Sequence, residues 1–352
     1  MHTRMIADTE VGAIGLGAMP LSIENRPDRA RALATIHAAL DAGVTLIDTA
    51  DSYHWHAGEI GHNEQLIAEA LARYGGDTSR VLVATKGGRG RPGDGSWTVD
   101  GDPRHLKRAA EASLRRLGAD AIGLYQLHKP DPRVPFAESV GALRDLLDAG
   151  LIRAAGISNV DNTQILQACQ ILGKRLVSVQ NEYSPAVRGS AEQLRLCAEL
   201  GIAFLPWSPL GGISRSSLDG PSALAPAYQA FREIARDRGV SPQQVCLAWH
   251  LAQSPAVVPI PGASRPESIR NSALATDLDL TPRELTRLNT AGPDLDPTEW
   301  HDDEVRGVVA EANDVLDFPL NPPLVDLPSQ SRSPSEPLGS PRRRRSRRLD
   351  RG

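Results

Sequence analysis

Four residues that together could transfer protons follow three successive apolar stretches of the sequence. Asp48 ends the stretch VTLID, Lys86 ends RVLVATK, and His128 ends AIGLYQLH. Tyr53 follows Asp48 by five residues. If the three stretches are adjacent parallel strands, their carboxyl ends lie side by side, so these four side chains can converge.

These four residue types have complementary chemistry. A lysine ammonium in a partly dry site needs a counter-charge, and Asp48 can supply it. A cation beside a phenol favours the phenolate, so we expect Lys86 to lower the pKa of Tyr53 and make it a better general acid. His128 can donate a hydrogen bond to a substrate oxygen. The set suits protonation of a carbonyl oxygen while another group delivers hydride to the carbon.

Each of these residues also has an ordinary structural explanation. Asp48 alone could be a helix N-cap, Lys86 a solvated loop residue, and His128 a hydrogen-bonded core residue. Four such residues at the matching ends of successive strands are harder to explain in this way, which favours a catalytic site.

Eight short apolar stretches alternate with longer amphipathic stretches along most of the chain. One amphipathic stretch is preceded by Asp102 and Pro103 and closed by Gly118, as is typical of a helix. The alternation predicts a closed (β/α)8 TIM barrel, an α/β fold with its active site at the carboxyl ends of the strands. The eight predicted strands occupy residues 13–17, 44–49, 80–86, 121–128, 152–158, 176–182, 202–208 and 257–262.

An open doubly wound sheet is the alternative architecture. It would need a glycine-rich turn between a strand and a helix to hold a dinucleotide. Gly12, Gly15 and Gly17 are candidates for such a turn, but Met19 and Pro20 follow them and no helix is predicted to begin there. The barrel is therefore the favoured prediction.

The predicted barrel forms one domain over residues 1–292. Residues 210–226 are rich in Gly, Ser and Pro and predict a long loop after the seventh strand, either a lid or a disordered segment. Residues 293–318 form a C-terminal extension that could contain one more helix. Pro, Ser and Arg dominate residues 319–352, which predicts a disordered tail.

Charge divides the chain into an acidic body and a basic end. The 352 residues carry a net charge of -4, but the last 24 residues hold eight arginines and only two acidic residues. The remainder is therefore strongly acidic, which argues against nucleic acid as the main partner. The basic end is predicted to be solvated and disordered, with tethering to an acidic partner as the alternative.

The cysteines and the apolar runs bear on where the protein works. Cys169, Cys197 and Cys246 are far apart, which argues against a disulfide framework and fits a reducing cytoplasm. We expect them to be buried as small apolar residues. The sequence shows no secretory signal and no apolar run of the roughly 18 residues that a membrane span needs. A cytoplasmic protein without a membrane anchor is therefore expected.

The four candidate residues lie in motifs that resemble those of the aldo-keto reductases. DTADSY contains Asp48 and Tyr53, TKG contains Lys86, and YQLH ends at His128. The resemblance runs from about residue 11 to residue 292 and implies an NADPH-dependent carbonyl reductase on a (β/α)8 barrel. In such an enzyme Tyr53 would donate the proton, supported by the other three residues. Further matching motifs are GLGAM, GHNE, GISN, VQNE, WSPLG and IPGAS.

Residues at the ends of the fifth to seventh predicted strands suit a nicotinamide. Its carboxamide needs hydrogen-bond donors and acceptors, which Ser158, Asn159 and Gln180 offer. The ring needs a flat partner, which Trp207 can provide where the family usually has tyrosine.

The segment that follows Trp207 is predicted to hold the pyrophosphate of the cofactor. Backbone N–H groups can bind phosphate without the glycine-rich turn of a doubly wound sheet. Ser208, Leu210 and Gly211 are predicted to present these N–H groups, and Pro209, which has none, is a further predicted contact.

The segment after the eighth strand is predicted to contact the adenosine 2′-phosphate. Arg265 supplies a guanidinium and Ser264 a hydroxyl, a suitable pair for phosphate. Many relatives have a basic residue at position 262 or 264 and Glu-Asn at 271–272. This chain instead has Gly262, Ser264 and Asn271-Ser272. Arg265 still favours NADP(H), with NAD(H) as the alternative. The predicted contacts are Gly262, Ala263, Ser264, Arg265, Ser268 and Asn271.

A few residues near the predicted mouth of the barrel could contact the substrate. They are Met19, His54, Trp55 and Trp97. His54, His56 and His62 could also suggest a metal site, but no cysteine or carboxylate pattern accompanies them. We therefore predict no metal, and a small carbonyl compound or its alcohol as the ligand.

Two other functions are alternatives. The chain could be a cofactor-binding regulatory subunit without turnover, because potassium-channel β subunits resemble it in the barrel and in the four candidate residues. A Schiff-base aldolase could use Lys86 in such a barrel. Pairing with Asp48 argues against the aldolase, because it would keep the amine protonated and unreactive.

Overall fold

The computed structural model describes residues 1–211 and 226–291. Most of the loop predicted at 210–226 lies outside the described residues, as do the predicted extension 293–318 and the predicted tail 319–352.

The strands of the described residues form one parallel sheet and two short hairpins. β3, β4, β5, β8, β9, β10 and β11 form the parallel sheet in chain order, as successive strand–helix–strand units require. The strands are β1 (Thr3–Ile6), β2 (Thr9–Gly12), β3 (Leu16–Gly17), β4 (Leu46–Asp48), β5 (Leu82–Gly87), β6 (Arg89–Gly90), β7 (Thr98–Val99), β8 (Leu124–Leu127), β9 (Ala155–Ser158), β10 (Leu176–Gln180) and β11 (Ala203–Phe204).

The eighth predicted strand closes the sheet into a barrel, although its backbone is irregular. Residues 257–262 pair with β11 at one end and with β3 at the other. Pro259 and Pro261 have no N–H groups, so this segment cannot form a regular ladder on both sides. Their carbonyl oxygens still accept hydrogen bonds from Gly15 N at 2.9 Å and Gly17 N at 3.0 Å. The (β/α)8 prediction is therefore confirmed, and the open doubly wound alternative is wrong.

Between residues 29 and 200 the helices alternate with the strands and successive helices pack against one another, whereas two helices in succession follow β11. α3 shows how the sequence sets their ends, since Asp102 accepts hydrogen bonds from the first turn and Gly118 takes the left-handed conformation at φ 64°. The helices are α1 (Arg29–Asp41), α2 (His62–Arg73), α3 (Pro103–Leu117), α4 (Phe136–Asp148), α5 (Asn162–Leu172), α6 (Ala191–Leu200), α7 (Pro226–Arg238), α8 (Pro242–Gln253), α9 (Pro266–Ala273) and α10 (Pro282–Thr290).

Two hairpins were not predicted from the sequence. β1 and β2 pair antiparallel, and Ile6 and Val11 pack with Leu46 and Leu124, the first residues of β4 and β8. This hairpin therefore covers the amino-terminal end of the barrel. β6 and β7 form the second hairpin directly after β5, where Arg89 pairs with Val99. It lies at the opposite, carboxyl end, where the candidate residues are.

The interior confirms the expectation for the cysteines. All three are buried and free of disulfides. No helix within residues 1–211 and 226–291 is long and apolar enough to cross a membrane.

Candidate active site

Lys86 is the centre of the predicted set of four residues. Its Nζ atom donates to Asp48 Oδ1 at 2.6 Å, to Tyr53 Oη at 3.0 Å and to the carbonyl oxygen of Thr49 at 2.9 Å. The side chain is fully buried. All three donors of the ammonium are therefore used, as a buried charge requires.

The registers of the central strands bring these groups together. Asp48 pairs with Ala84, and Lys86 pairs with Gln126 on the next strand. Lys86 lies two residues beyond Ala84, so its side chain points to the same face as the strand end that carries Asp48. The arrangement follows from a parallel barrel and needs no special loop.

Two glutamines hold the second oxygen of Asp48. Gln180 Nε2 donates to Asp48 Oδ2 at 2.8 Å, and Gln126 Nε2 lies 3.4 Å from the same oxygen. Ser178 Oγ in turn donates to Gln126 Oε1 at 3.2 Å. Sequence reasoning missed Gln126 and Ser178, although each is a polar residue inside an otherwise apolar buried strand. Gln180 was predicted to meet a cofactor, and here its amide also holds the carboxylate.

The pKa expected for Tyr53 has to be corrected. The sequence suggested a lowered pKa, whereas burial raises the pKa of Tyr53, and Lys86 opposes that rise only in part. The side chain is 6% exposed, so little water remains to stabilise a phenolate. Tyr53 therefore stays protonated at neutral pH, the form that a proton donor needs.

His128 is a neutral imidazole beside Tyr53. Its ring centroid lies 5.7 Å from that of Tyr53 in an edge-to-face arrangement. Burial lowers the pKa of His128 well below its ordinary value, and the charges of Lys86 and Arg89 lower it further. A neutral imidazole can donate one hydrogen bond without adding charge, as the sequence suggested.

A cavity of about 250 Å³ opens beside this group. Two of the four predicted substrate contacts, Met19 and Trp97, line it. The sequence did not predict Arg89, which also lies in the wall. The residues that line the cavity are Gly17, Met19, Pro20, Asp48, Tyr53, Arg89, Trp97, His128, Ser158, Asn159, Gln180, Trp207, Ser208, Ile260 and Gly262.

The other two predicted substrate contacts do not line the cavity. His54 is only 1% exposed, and its Nδ1 atom bonds to the carbonyl oxygen of His56 at 2.8 Å. Trp55 packs against His56 and lies near Arg91. Both were expected at the mouth because they follow Tyr53, but the chain turns inward there and buries His54.

His54 and His62 each form a hydrogen bond within the protein. His62 Nδ1 lies 2.9 Å from Ser22 Oγ, and His54 Nδ1 bonds to the carbonyl oxygen of His56. Within the described ranges, no three His, Cys, Asp or Glu side chains cluster in a way that could hold a metal ion.

Six of the predicted cofactor residues lie in the cavity wall. Asn159 and Ser208 adopt the left-handed conformation, with φ values of 60° and 47°, which is rare for residues other than glycine. Such strain is concentrated at functional sites. Trp207 Nε1 is buried and has no hydrogen-bond partner among the described residues. The six are Ser158, Asn159, Gln180, Trp207, Ser208 and Gly262.

These wall residues fit a nicotinamide cofactor. Asn159 Nδ2 already donates to the carbonyl oxygen of His128 at 2.9 Å and to Ser158 Oγ at 3.0 Å, which leaves its Oδ1 to accept a bond. A Cβ atom at Gly262 would lie 2.9 Å from Pro20 Cγ, so only glycine leaves the wall open there. A flat amide ligand therefore finds acceptors, donors and a narrow slot.

The remaining predicted cofactor residues lie outside this cavity. The carbonyl oxygen of Pro209 accepts from His250 Nε2 at 3.0 Å, and Gly211 N donates to the carbonyl oxygen of Ser208 at 2.8 Å. The Gly211 N–H is thus engaged in a turn. It is not free to bind phosphate, contrary to the expectation from the sequence. Leu210 packs against the core.

The segment around α9 combines exposed and hydrogen-bonded residues. Arg265 is exposed at the N-cap of α9, and Ala263 is buried. Asn271 Nδ2 donates to Ser241 Oγ at 2.8 Å, which ties α9 to α8. Ser264 and Ser268 are half-buried.

Asp51 is a buried carboxyl group close to the site. It is 6% exposed, and its Oδ1 atom has no hydrogen-bond partner among the described residues. Burial raises the pKa of Asp51 to about 8, and the charge of Glu64 adds to the rise while Arg116 opposes it. The native protein therefore keeps this carboxyl protonated near neutral pH.

We expect Asp51→Asn to stabilise the protein, with a gain that grows as the pH rises from 4 to 8. The native pKa of about 8 lies above the ordinary value of 3.8, so the stability due to the protonated native carboxyl is complete below pH 3.8 and lost towards pH 8. Asparagine does not titrate. Each pH unit in this window corresponds to about 1.4 kcal/mol. Urea unfolding at pH 5 and pH 7 would measure the change, with the exposed Asp120→Asn as control. A gain that shrinks with rising pH would contradict the assignment.

The sequence matches known proteins over most of its length. Residues 13–292 match the model of the Aldo/keto reductase family. The chain is 33% identical over 298 residues to pyridoxine 4-dehydrogenase of Escherichia coli. The aligned region covers 82% of this chain and 97% of that protein.

Solved structures show the same architecture. A glycerol dehydrogenase from Gluconobacter oxydans superposes with a TM-score of 0.68 at 26% identity, covering 92% of this chain and 98% of that one. An aldo/keto reductase from Klebsiella pneumoniae, in complex with NADP and acetate, superposes with a TM-score of 0.64 at 28% identity. The superposition covers 81% of this chain and 93% of that one.

Proposed function

Because this chain belongs to the aldo-keto reductase family, we propose that it catalyses hydride transfer between NADP(H) and an aldehyde or ketone, with Tyr53 as the proton donor and acceptor. The observation that carries this proposal is the contact between Lys86 Nζ and Tyr53 Oη at 3.0 Å, in the wall of a cavity. Relatives such as pyridoxine 4-dehydrogenase are oxidoreductases, which supports the reaction class.

The hydrogen bonds around Tyr53 leave its proton free for a substrate. An ammonium group can only donate, so Tyr53 Oη accepts the bond from Lys86. The hydroxyl proton of Tyr53 can then be donated to a ligand in the cavity. When that proton leaves, the phenolate remains beside a buried cation, whose attraction is strong in a site with little water.

Asp48 and His128 have separate roles in this scheme. Asp48 neutralises Lys86 at 2.6 Å and fixes its position. His128 can donate a hydrogen bond to the same carbonyl oxygen and orient it towards Tyr53. Because its pKa is depressed, His128 stays neutral and does not compete as an acid.

The cofactor would be held by residues at the ends of the later strands. Ser158, Asn159 and Gln180 would meet the carboxamide, and Trp207 would pack on the ring, in the wall of the same cavity. When bound, the cofactor supplies the hydride. NADP is supported by the Klebsiella pneumoniae relative, which was crystallised with it, and by the exposed guanidinium of Arg265.

We expect Arg265→Met to raise the Kd for NADPH by about 10- to 100-fold and to change the Kd for NADH little. A guanidinium paired with a phosphate forms charge-assisted hydrogen bonds, and NADH has no 2′-phosphate to lose. Fluorescence titration of both cofactors would measure this. Arg270→Met, an exposed arginine on the same helix, is the matched control. Equal weakening of both cofactors would show that Arg265 does not read the phosphate.

The proposed reaction is tested by NADPH consumption over a panel of aldehydes, ketones and sugars, with pyridoxal included because of the relative's name. Turnover with at least one carbonyl compound supports the enzyme. Tight NADPH binding without any turnover would instead support the regulatory-subunit alternative. Burial lowers the pKa of Lys86, but Asp48 and Tyr53 outweigh it and leave the pKa raised, and all donors of the ammonium are engaged. The aldolase alternative is therefore disfavoured.

A further inference from the structure

Arg89 places a cation in the wall of the proposed active-site cavity. It is half-buried and lies on β6. β6 directly follows β5, the strand that contains Lys86. Gly88 turns the chain between the two strands at φ 93°, a conformation that favours glycine. The β6–β7 hairpin then holds Arg89 opposite Val99. Arg89 is therefore positioned by backbone pairing and not by a free loop.

Trp97 fixes the guanidinium of Arg89 and links it to Tyr53. The Cζ atom of Arg89 lies 4.6 Å from the centroid of the Trp97 ring, within the range of a cation–π contact. The same indole packs edge-to-face against Tyr53, with centroids 6.5 Å apart. The Trp97 ring thus lies between the guanidinium of Arg89 and Tyr53, the proposed proton donor.

Arg89 carries a positive charge that no described carboxylate neutralises. The neighbouring Arg91 also lies over Trp97, but it is paired with Glu24 and donates to the carbonyl oxygen of His54 at 3.0 Å. Arg89 has no such ion pair within residues 1–211 and 226–291, and its buried Nε atom has no hydrogen-bond partner there.

The other charges of the cavity cancel each other. Asp48 is matched by Lys86, and His128 is neutral. Among the described residues, the wall therefore has one net positive charge, supplied by Arg89. A half-buried cation with a free donor is a favourable position for an anion, and the guanidinium matches a carboxylate or phosphate in shape.

We propose that Arg89 selects substrates whose carbonyl group is joined by a short chain to an anionic group, a carboxylate or a phosphate. This inference rests on the proposed function, because it takes the carbonyl to lie at Tyr53. Arg89 follows the third barrel strand, whereas the proposed cofactor contacts follow the later strands and residues 257–262. The anion that Arg89 meets therefore belongs to the substrate and not to the cofactor.

Matched pairs of substrates test the selection. 4-Oxobutanoate and its methyl ester differ in one charge, and pyridoxal 5′-phosphate and pyridoxal provide the same comparison for phosphate. We expect the protein to favour the anion of at least one pair in kcat/KM. Arg89→Met should lower the ratio of anion to neutral kcat/KM by about 10- to 100-fold, the size expected for loss of a charged hydrogen bond.

Two further variants separate charge from packing. Arg89→Lys should retain part of the preference, because it keeps the cation but loses the planar fork. Arg104→Met, at an exposed position on α3, should leave the ratio unchanged. An unchanged ratio of anion to neutral kcat/KM in Arg89→Met would overturn the inference. An increase in the Kd for NADPH by a similar factor would also overturn it, because it would place Arg89 at the cofactor.

Calorimetry keeps the inference testable if no carbonyl compound is reduced. That result would reject the proposed function, yet binding of succinate and of succinamide to the protein with NADP⁺ can still be compared. Tighter binding of succinate that is lost in Arg89→Met supports the anion site. Equal binding of the acid and the amide overturns it.

Discussion

Tyr53→Phe is expected to lower kcat by about 100- to 10,000-fold, the contribution that a positioned general acid makes, while the Kd for NADPH changes less than about twofold. The ring of phenylalanine keeps the edge-to-face contacts of Tyr53 with His128 and Trp97, so the cavity keeps its shape. Only the hydroxyl group, and with it the bond from Lys86, is lost. Stopped-flow measurement of NADPH oxidation would separate this chemical step from product release.

A second tyrosine provides the control for this variant. Tyr74→Phe removes a hydroxyl that donates to Asp41 Oδ1 at 2.8 Å on the surface, and Tyr74 does not line the cavity. It should leave kcat unchanged. If Tyr53→Phe retained more than about a tenth of the activity, another group would have to donate the proton, and His128 would be the first to test.

The geometry of the candidate site could be predicted from the sequence wherever a strand end carries one of its side chains. Asp48, Lys86 and His128 end continuous apolar runs, and the geometry of a parallel barrel then brings them to one edge. Tyr53 follows closely enough to reach the same place. No long-range information beyond the strand order was needed.

Other parts of the site depend on contacts that the sequence pattern does not show. β6 and β7 have two residues each, too few to show a periodicity, so Arg89 could not be placed in the cavity. Gln126 contributes through a bond to Asp48, 78 residues away in sequence. The pKa of Tyr53 was predicted in the wrong direction because burial, which outweighs the effect of Lys86, is known only from the folded structure.

The eighth strand shows a similar limit for the fold. Its position was predicted from the apolar run at residues 257–262, and it does close the barrel. Pro259 and Pro261 prevent a regular ladder, so hydrogen bonds come from the neighbouring strand to the proline carbonyls. An apolar pattern predicts burial, whereas backbone donors decide how regular the strand can be.

Asp48→Asn and Lys86→Met are each expected to destabilise the protein by about 3 to 5 kcal/mol, because each leaves one buried charge without its partner. Both side chains are almost completely buried, and their charged atoms lie 2.6 Å apart. The double variant Asp48→Asn/Lys86→Met should lose much less than the sum of the two single losses. Urea unfolding of the four proteins gives the coupling energy directly.

The surface pair of Lys107 and Asp145 is the control for burial. Its atoms lie 2.7 Å apart, but the two side chains are 42% and 43% exposed. Lys107→Met should therefore cost less than about 1 kcal/mol. The double active-site variant should also remain inactive although its stability recovers, because Tyr53 has lost the cation that stabilises its phenolate. Additive losses in the cycle would mean that Asp48 does not hold Lys86, and the scheme in which Lys86 supports Tyr53 would have to be abandoned.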